Sequence, residues 1–124
     1  MTKRTKPDAK REKRIAMEIV VDAYNEEERA MGWYHYLQDQ LGFPFTATCM
    51  AKRAVSPLRV GDEVEVIAMA PEEECEHEMF VSIRWERGGL AVPLAQLKPI
   101  AATNNRSKQA VADWHYWIDM GYEF

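Results

Sequence analysis

The chain has 124 residues, of which 47% are hydrophobic and 10% aromatic, and its formal net charge at pH 7 is −4. A chain of this size and composition can bury a hydrophobic core as one domain, without disulfides or a metal to fold it. It has no apolar stretch near the ~20 residues that a membrane span requires. It also lacks the apolar run that follows the basic start of a signal peptide. We therefore expect a soluble, cytoplasmic protein with no membrane partner.

The charge is unevenly distributed along the chain. Residues 1–14 carry seven Lys or Arg and two acids, a net +5, whereas the remaining residues carry −9. A body of that charge attracts cations and repels phosphates, so we expect no nucleic-acid partner. Residues 1–10 are predicted to be a basic, flexible tail, and residues 11–124 a single domain. The two cysteines are too few for a disulfide framework and are expected to be reduced.

Three segments have the hydrophobic periodicity of helices. The first covers 11–24, and the last covers about 107–120, where Gly121 is expected to act as the C-terminal cap. The second is predicted to begin after Asn25, because Glu28 follows three residues later in the capping-box position, and to run to about Leu41. Its apolar stripe consists of Ala30, Trp33, Tyr34, Leu37 and Leu41. Its opposite face carries Glu28, His35 and Asp39.

Alternating apolar and polar residues in the middle of the chain predict short strands. Candidate strands cover 45–50, 64–68, 79–86 and LAVPLAQL at 90–97. Gly88-Gly89 is interpreted as a hairpin turn, and Pro93 places the last strand at an edge or a bulge. The pattern predicts an α+β fold, with a small SH3-like β-barrel or sheet flanked by N-terminal helices and a C-terminal helix.

The segment APEEECEHEMF, residues 70–80, holds five Glu, one Cys and one His within seven consecutive positions. A structural zinc site needs four nitrogen or sulfur ligands, usually in paired spacing, and the remaining Cys and His residues are scattered. Cys75 is not expected to be a reactive thiolate, because its neighbours are negative rather than positive. The sequence also has no phosphate-binding loop. We therefore expect neither a zinc site nor an enzyme.

Calcium suits these acids better, because it is a hard cation that takes typically six to eight oxygen ligands. No segment matches an EF-hand loop, so the ligands would converge from separate elements. Asp39 and Glu28 on the second helix are the predicted second source. From composition alone, a solvated acidic loop is the stronger interpretation. An SH3-like protein-interaction module with no metal role, presenting Trp33, Tyr34 and Tyr36 to a peptide, is the alternative.

Three segments of the chain resemble segments of a known protein family and occur in the same order as in that family. They are residues 19–45, 56–100 and 113–124, which begin IVVDAYNEEERA, SPLRVGDEVEV and DWHYWIDMGYEF. Together they resemble the CcbP-type calcium-binding proteins, a family best known from cyanobacteria, over about residues 11–124. The resemblance implies a bowl-shaped α/β domain with an SH3-like sheet. It also implies two Ca²⁺ ions, bound at unequal strength by a negatively charged surface without an EF-hand.

The resemblance also implies site residues. The family's important aspartate ends a YxYLxD segment, which is YHYLQD here, so Asp39 is a candidate ligand. The acidic APEEECE segment is intact and adds Glu72, Glu73, Glu74 and Glu76, while Glu28 was selected above from its helix face. The predicted function is a monomeric, cytosolic Ca²⁺ buffer or low-affinity sensor with one or two bound ions. An unidentified protein partner is left open.

Overall fold

The computed structural model describes residues 6–124, which form three helices and five strands. The helices are α1 (Ala9–Arg14), α2 (Glu26–Gln40) and α3 (Asn105–Asp119). The strands are β1 (Phe45–Cys49), β2 (Glu63–Met69), β3 (Phe80–Trp85), β4 (Gly88–Pro93) and β5 (Leu97–Pro99). Short 3₁₀ turns lie at Glu72–Cys75 and Leu94–Gln96. No helix in residues 6–124 has the length and apolar character needed to cross a membrane.

The N-terminal helix begins and ends earlier than predicted. Asp8 caps α1 by accepting a hydrogen bond from the Arg11 amide at 3.0 Å, so residues 9 and 10, assigned above to the tail, are helical. The predicted helix over 11–24 stops at Ile19, because a bond from the Val20 amide to the Ile15 carbonyl widens its last turn into a π-helix. Residues 1–5 of the predicted tail lie outside the described residues.

Helices α2 and α3 confirm the second and third predicted helices. The Asn25 side chain accepts a hydrogen bond from the Glu28 amide at 2.8 Å, and Asn104 caps α3 through the Ser107 amide at the same distance. The predicted apolar stripe of α2 is buried along its length. Gly121 follows α3 with φ of +82°, the left-handed conformation that glycine adopts most readily beyond a helix end.

The five strands form one antiparallel sheet in the order β4-β3-β2-β1-β5. The prediction of LAVPLAQL as a single strand is wrong, because the 3₁₀ turn Leu94–Gln96 divides it and sends β4 and β5 to opposite edges. A connection of 3 residues between the two edges requires the sheet to curve strongly. The α+β class is confirmed, and the described strands form an open sheet rather than a closed barrel.

The β3–β4 hairpin does not turn at the predicted glycines. Gly88 pairs with Trp85 and Gly89 pairs with Arg84, so both glycines belong to the ladder. The turn falls at residues 86–87, where Glu86 has φ of +48°. The register that places the buried Val81 opposite Val92 decides the turn position, and it overrides the glycine signal.

The helices meet over the sheet in an aromatic core. Trp33 of α2 and Trp114 of α3 are almost fully buried, with ring centroids 5.0 Å apart in an edge-to-face arrangement. Tyr34 is also buried, and Tyr36 is half-buried, with its hydroxyl 2.7 Å from Asp113. The exposed peptide platform of the alternative interpretation is therefore wrong, because α3 packs against Trp33 and Tyr36, and Tyr34 is buried beside the Ala70 carbonyl.

A buried carboxylate joins the three helices. Asp113 of α3 is fully buried and accepts two hydrogen bonds from the Arg14 guanidinium, at 2.7 and 2.9 Å. It also accepts the Tyr36 hydroxyl of α2. Burial, together with this hydrogen bond, raises the pKa of Tyr36 well above its ordinary value. The network satisfies a charge that would otherwise be very costly to bury.

Candidate metal site

The acidic segment folds into a turn that faces the beginning of α2. Strand β2 ends at Met69, the 3₁₀ turn Glu72–Cys75 follows, and β3 begins at Phe80. A cleft of about 450 Å³ separates this turn from the first turns of α2. The lining residues from α2 are Glu26, Glu27, Ala30, Met31 and Tyr34, and those from the turn are Glu72, Glu73, Cys75, Glu76 and His77.

Two contacts position the turn. The buried Tyr34 hydroxyl of α2 donates a hydrogen bond to the Ala70 carbonyl at 2.8 Å, at the point where the chain leaves β2. Cys75 is 2% exposed, and the Phe80 amide lies 3.4 Å from its sulfur. Cys75 therefore packs as a small apolar group, and the adjacent Glu74 and Glu76 are exposed to solvent.

The Cys75 thiol is not activated by its setting. Burial raises the pKa of the thiol above its ordinary value, and the negative charges of Glu74 and Glu72 raise it further. These effects outweigh the hydrogen bond with Phe80, which lowers the pKa. A thiol in such a setting is a poor nucleophile, because the thiolate is the reactive form.

The cleft concentrates carboxylates that have no cationic partner in the described part of the chain. Five glutamates line it, all of them exposed: Glu26, Glu27, Glu72, Glu73 and Glu76. Among residues 6–124, none of the five lies within 4.0 Å of a Lys, Arg or His nitrogen. The negative charge of the cleft also affects Tyr34, which lines it. Burial raises the pKa of Tyr34, and the charges of Cys75, Glu72 and Glu73 raise it further.

Glu78, in the same acidic run, is excluded from the cleft by an ion pair. Its two carboxylate oxygens accept hydrogen bonds from the Arg53 guanidinium at 2.6 and 2.7 Å. A bidentate pair of this kind occupies both oxygens. Glu74 belongs to the 3₁₀ turn and is exposed, but it does not line the cleft.

The donor chemistry of the cleft fits calcium. The cleft offers carboxylate oxygens from two separate elements, which hard cations prefer, and its one accessible nitrogen ligand is His77. The carboxylates are not gathered in advance: in the described range 6–124, no three His, Cys, Asp or Glu side chains lie close enough together to hold a metal ion. An ion in this cleft would therefore need the exposed glutamates to change rotamer.

Besides Glu74, two predicted site residues on α2 lie away from the cleft. Asp39 is 74% exposed and its carboxylate is 3.5 Å from the Arg106 guanidinium. At 1.5 Å and 100° per residue, it lies about 18 Å along the helix axis from Glu27 and about 140° around the axis from Tyr34. Glu28 is engaged at the helix start, where its carboxylate accepts the Asn25 side-chain amide at 3.0 Å. The structure thus brings Glu72, Glu73 and Glu76 to one cleft, and it leaves Glu74, Asp39 and Glu28 outside it.

The sequence interpretation missed Glu26 and Glu27 as cleft residues. Both follow the Asn25 cap, where acidic side chains are common because they complement the helix dipole. That explanation is complete for an isolated helix, so the residues gave no separate signal of a second role. Only the packing of the 72–76 turn beside α2 adds the second role, and nothing local in either segment encodes that contact.

The fold and the acidic cleft agree with a family comparison. A family model described as calcium binding matches residues 13–118. The chain belongs to the CcbP family of calcium-binding proteins. Ca²⁺ is therefore its ligand, as the sequence resemblance implied. No curated protein is a significant match to this CcbP-family chain.

Two solved structures extend the match to nearly the whole chain. The crystal structure of Anabaena CcbP is 39% identical, with a TM-score of 0.85, over 97% of this chain and 98% of that one. A structure described as a calcium binding protein in the calcium-binding form is also 39% identical, with a TM-score of 0.83, over 94% of this chain and 95% of that one. The three-helix, five-strand architecture of this CcbP-family protein is thus shared with its relatives.

Proposed function

We propose that this protein takes up Ca²⁺ in the cleft between α2 and the 72–76 turn and acts as a monomeric, cytoplasmic calcium buffer or low-affinity sensor. The observation that carries the proposal is the group of five exposed glutamates at that cleft, none of which has a basic partner among residues 6–124. Carboxylates left unpaired repel one another, and a divalent cation relieves that repulsion. No catalytic role is assigned to them.

A weak affinity follows from the state of the donors. The glutamates are exposed and separated, so binding must immobilise several long side chains, each of which loses rotamer freedom. A preformed loop avoids much of that cost. We therefore expect a dissociation constant on the order of micromolar or weaker, in the range of sensor sites and extracellular modules rather than of tight buffers.

Asp39 is proposed to serve a second, weaker ion. Its carboxylate is too far from Glu27 to share one ion with it, since Ca²⁺–oxygen distances are about 2.3–2.6 Å. The Arg106 guanidinium at 3.5 Å also competes with any cation for that carboxylate. Two separate locations of unequal strength agree with what the sequence resemblance implies.

The test is a calorimetric titration of the metal-stripped protein with CaCl₂, repeated with MgCl₂ and ZnCl₂. We expect saturable Ca²⁺ binding and much weaker Mg²⁺ binding. The double variant Glu72→Gln/Glu73→Gln should weaken Ca²⁺ binding by about 1,000-fold, because each of the two carboxylates near a divalent ion contributes about 2 kcal/mol even in a water-like dielectric.

The matched control is Glu63→Gln/Glu86→Gln. Both residues are exposed. The 72–76 turn joins the end of β2 to the beginning of β3, whereas Glu63 begins β2 and Glu86 follows the end of β3, so both residues lie at the opposite ends of these strands. This variant removes the same total charge and should change the affinity by less than about threefold. Equal effects of the two double variants would show that net charge, rather than the cleft, determines binding.

A further inference from the structure

A second large concavity lies where α3 crosses the β1 and β5 side of the sheet. This groove, of about 900 Å³, is formed by the end of β1, by β5 and the residues that follow it, and by one face of α3, with Arg11 of α1 at one end. Its floor is apolar and includes Met50, Pro99, Ile100, Val111 and Ala112. Met50 is 50% exposed, so part of this apolar floor faces solvent.

The rim of the groove is basic, unlike the cleft. Arg11, Lys98 and Lys108 line it, and the only acid among its lining residues is Asp119, on a chain whose net charge is −4. Lys98 is exposed, and the Lys108 ammonium donates to the Ala101 carbonyl at 2.5 Å. Within the described part of the chain, neither lysine makes an ion pair within 4.0 Å. Arg11, by contrast, is paired with Asp8 at 3.8 Å and with the buried Asp113 at 3.3 Å. Lys98 and Lys108 therefore supply the positive charge that has no acidic partner among residues 6–124.

We propose that this basic-rimmed groove docks an acidic, amphipathic segment of a partner protein. Apolar side chains of that segment would cover the exposed floor at Met50 and Ile100, and its carboxylates would pair with Lys98 and Lys108. Charge complementarity of this kind determines which partners associate and how fast they do so. The same complementarity excludes a basic segment, because the rim would repel it.

The groove is separate from the calcium cleft in residues and in charge. No residue lines both, and the cleft carries five carboxylates where the groove carries two lysines that make no ion pair among the described residues. An acidic segment is repelled by the cleft, so the two surfaces select ligands of opposite charge. The docking proposal therefore stands or falls independently of the calcium site.

The probe is a fluorescein-labelled amphipathic peptide of glutamate and leucine, added to the full-length protein in EDTA and followed by fluorescence anisotropy. Two control peptides replace glutamate by lysine or leucine by serine. We expect the acidic amphipathic peptide to bind at least about tenfold tighter than either control. Amide chemical-shift changes should concentrate at Met50, Ile100 and Val111 and be absent at Glu72 and Glu73.

The variant Lys98→Glu/Lys108→Glu should weaken peptide binding about tenfold, because two rim attractions become repulsions. The control Arg59→Glu/Arg87→Glu makes the same charge change at two exposed residues outside the groove and should stay within about twofold. If the double variant has a lower melting temperature than the parent protein, the single variant Lys98→Glu replaces it in the binding experiment. Lys98 is exposed and makes no ion pair among the described residues, so this change should not unfold the protein.

Three results would overturn the proposal. One is equal binding of the acidic and basic peptides, and another is an unchanged affinity in the Lys98→Glu/Lys108→Glu variant. The third is concentration-dependent self-association in sedimentation runs without peptide, accompanied by the same shift changes at Met50 and Val111. That result would assign the groove to a second copy of this chain instead of to an acidic partner.

Discussion

Asp39 and the cleft glutamates should act on calcium binding independently. The test is a double-mutant cycle of Glu73→Gln and Asp39→Asn, with both single variants, the double variant and the parent protein titrated with CaCl₂. Asparagine and glutamine keep the shape of each side chain and remove its charge. Both residues are exposed and away from the core, so neither change should unfold the protein.

The magnitudes follow from distance. A carboxylate at about 4 Å from a divalent ion is worth about 2 kcal/mol in a water-like dielectric, so Glu73→Gln should weaken the stronger step by about 30-fold. Asp39 lies about 18 Å along α2 from Glu27, which is more than two Debye lengths at physiological salt, where that length is about 8 Å. Its effect on an ion in the cleft should therefore be below about 0.1 kcal/mol. Asp39→Asn should weaken only the weaker of two steps.

The decisive quantity is the coupling energy of the cycle for the stronger step. We expect a value within about 0.3 kcal/mol of zero, which is the usual additivity of distant, independent sites. A coupling energy of 1 kcal/mol or more would refute the reasoning. It would mean that Asp39 and the 72–76 turn converge on one ion, and that α2 or the turn moves by many ångströms when the ion binds.

Two further predictions concern stability. Gly32→Ala should lower the free energy of unfolding, measured in urea, by about 1–3 kcal/mol, because the added methyl group would overlap the Ile19 carbonyl of the π-helical turn. The control Gly88→Ala has open space at its Cα and should change the free energy of unfolding by less than about 1 kcal/mol. Asp113→Asn should cost about 3 kcal/mol in the same assay, because it leaves the Arg14 guanidinium without its buried partner, whereas the exposed Asp119→Asn should cost less than about 0.5 kcal/mol. A neutral Gly32→Ala would show that the turn is free to shift, and a neutral Asp113→Asn would show that the network contributes nothing to stability.

Local signals in the sequence predict the helices well and the sheet less well. The Asn25 cap and the 3.6-residue stripe identify α2 because both are properties of the helix itself. The division of LAVPLAQL into two edge strands depends on how far the sheet must curve, which no short stretch determines. The same holds for Gly88-Gly89, where the pairing of Val81 with Val92 overrides a local turn preference.

The residues of the candidate metal site could likewise be predicted only in part from the sequence. Glu72, Glu73 and Glu76 were predictable because they are adjacent in sequence, and adjacency alone places them on one turn. Glu26 and Glu27 could not be predicted, since their proximity to that turn depends on the Tyr34–Ala70 hydrogen bond across 36 positions of the chain. Asp39 was selected first from its helix face and then through family resemblance, and whether it binds an ion is for the mutant cycle to decide.

The two edge strands affect the tendency of the protein to aggregate at high concentration. A buffer of weak affinity is effective only at concentrations comparable with that of the ion, and crowded β-proteins tend to aggregate through exposed strand edges. Here β5 is only 3 residues long and ends at Pro99, while β4 ends at Pro93. Proline offers no amide hydrogen to an incoming strand, and a short edge offers few pairing positions. The terminal prolines and the shortness of β5 disfavour intermolecular sheet growth, which would suit the proposed calcium buffer at high concentration.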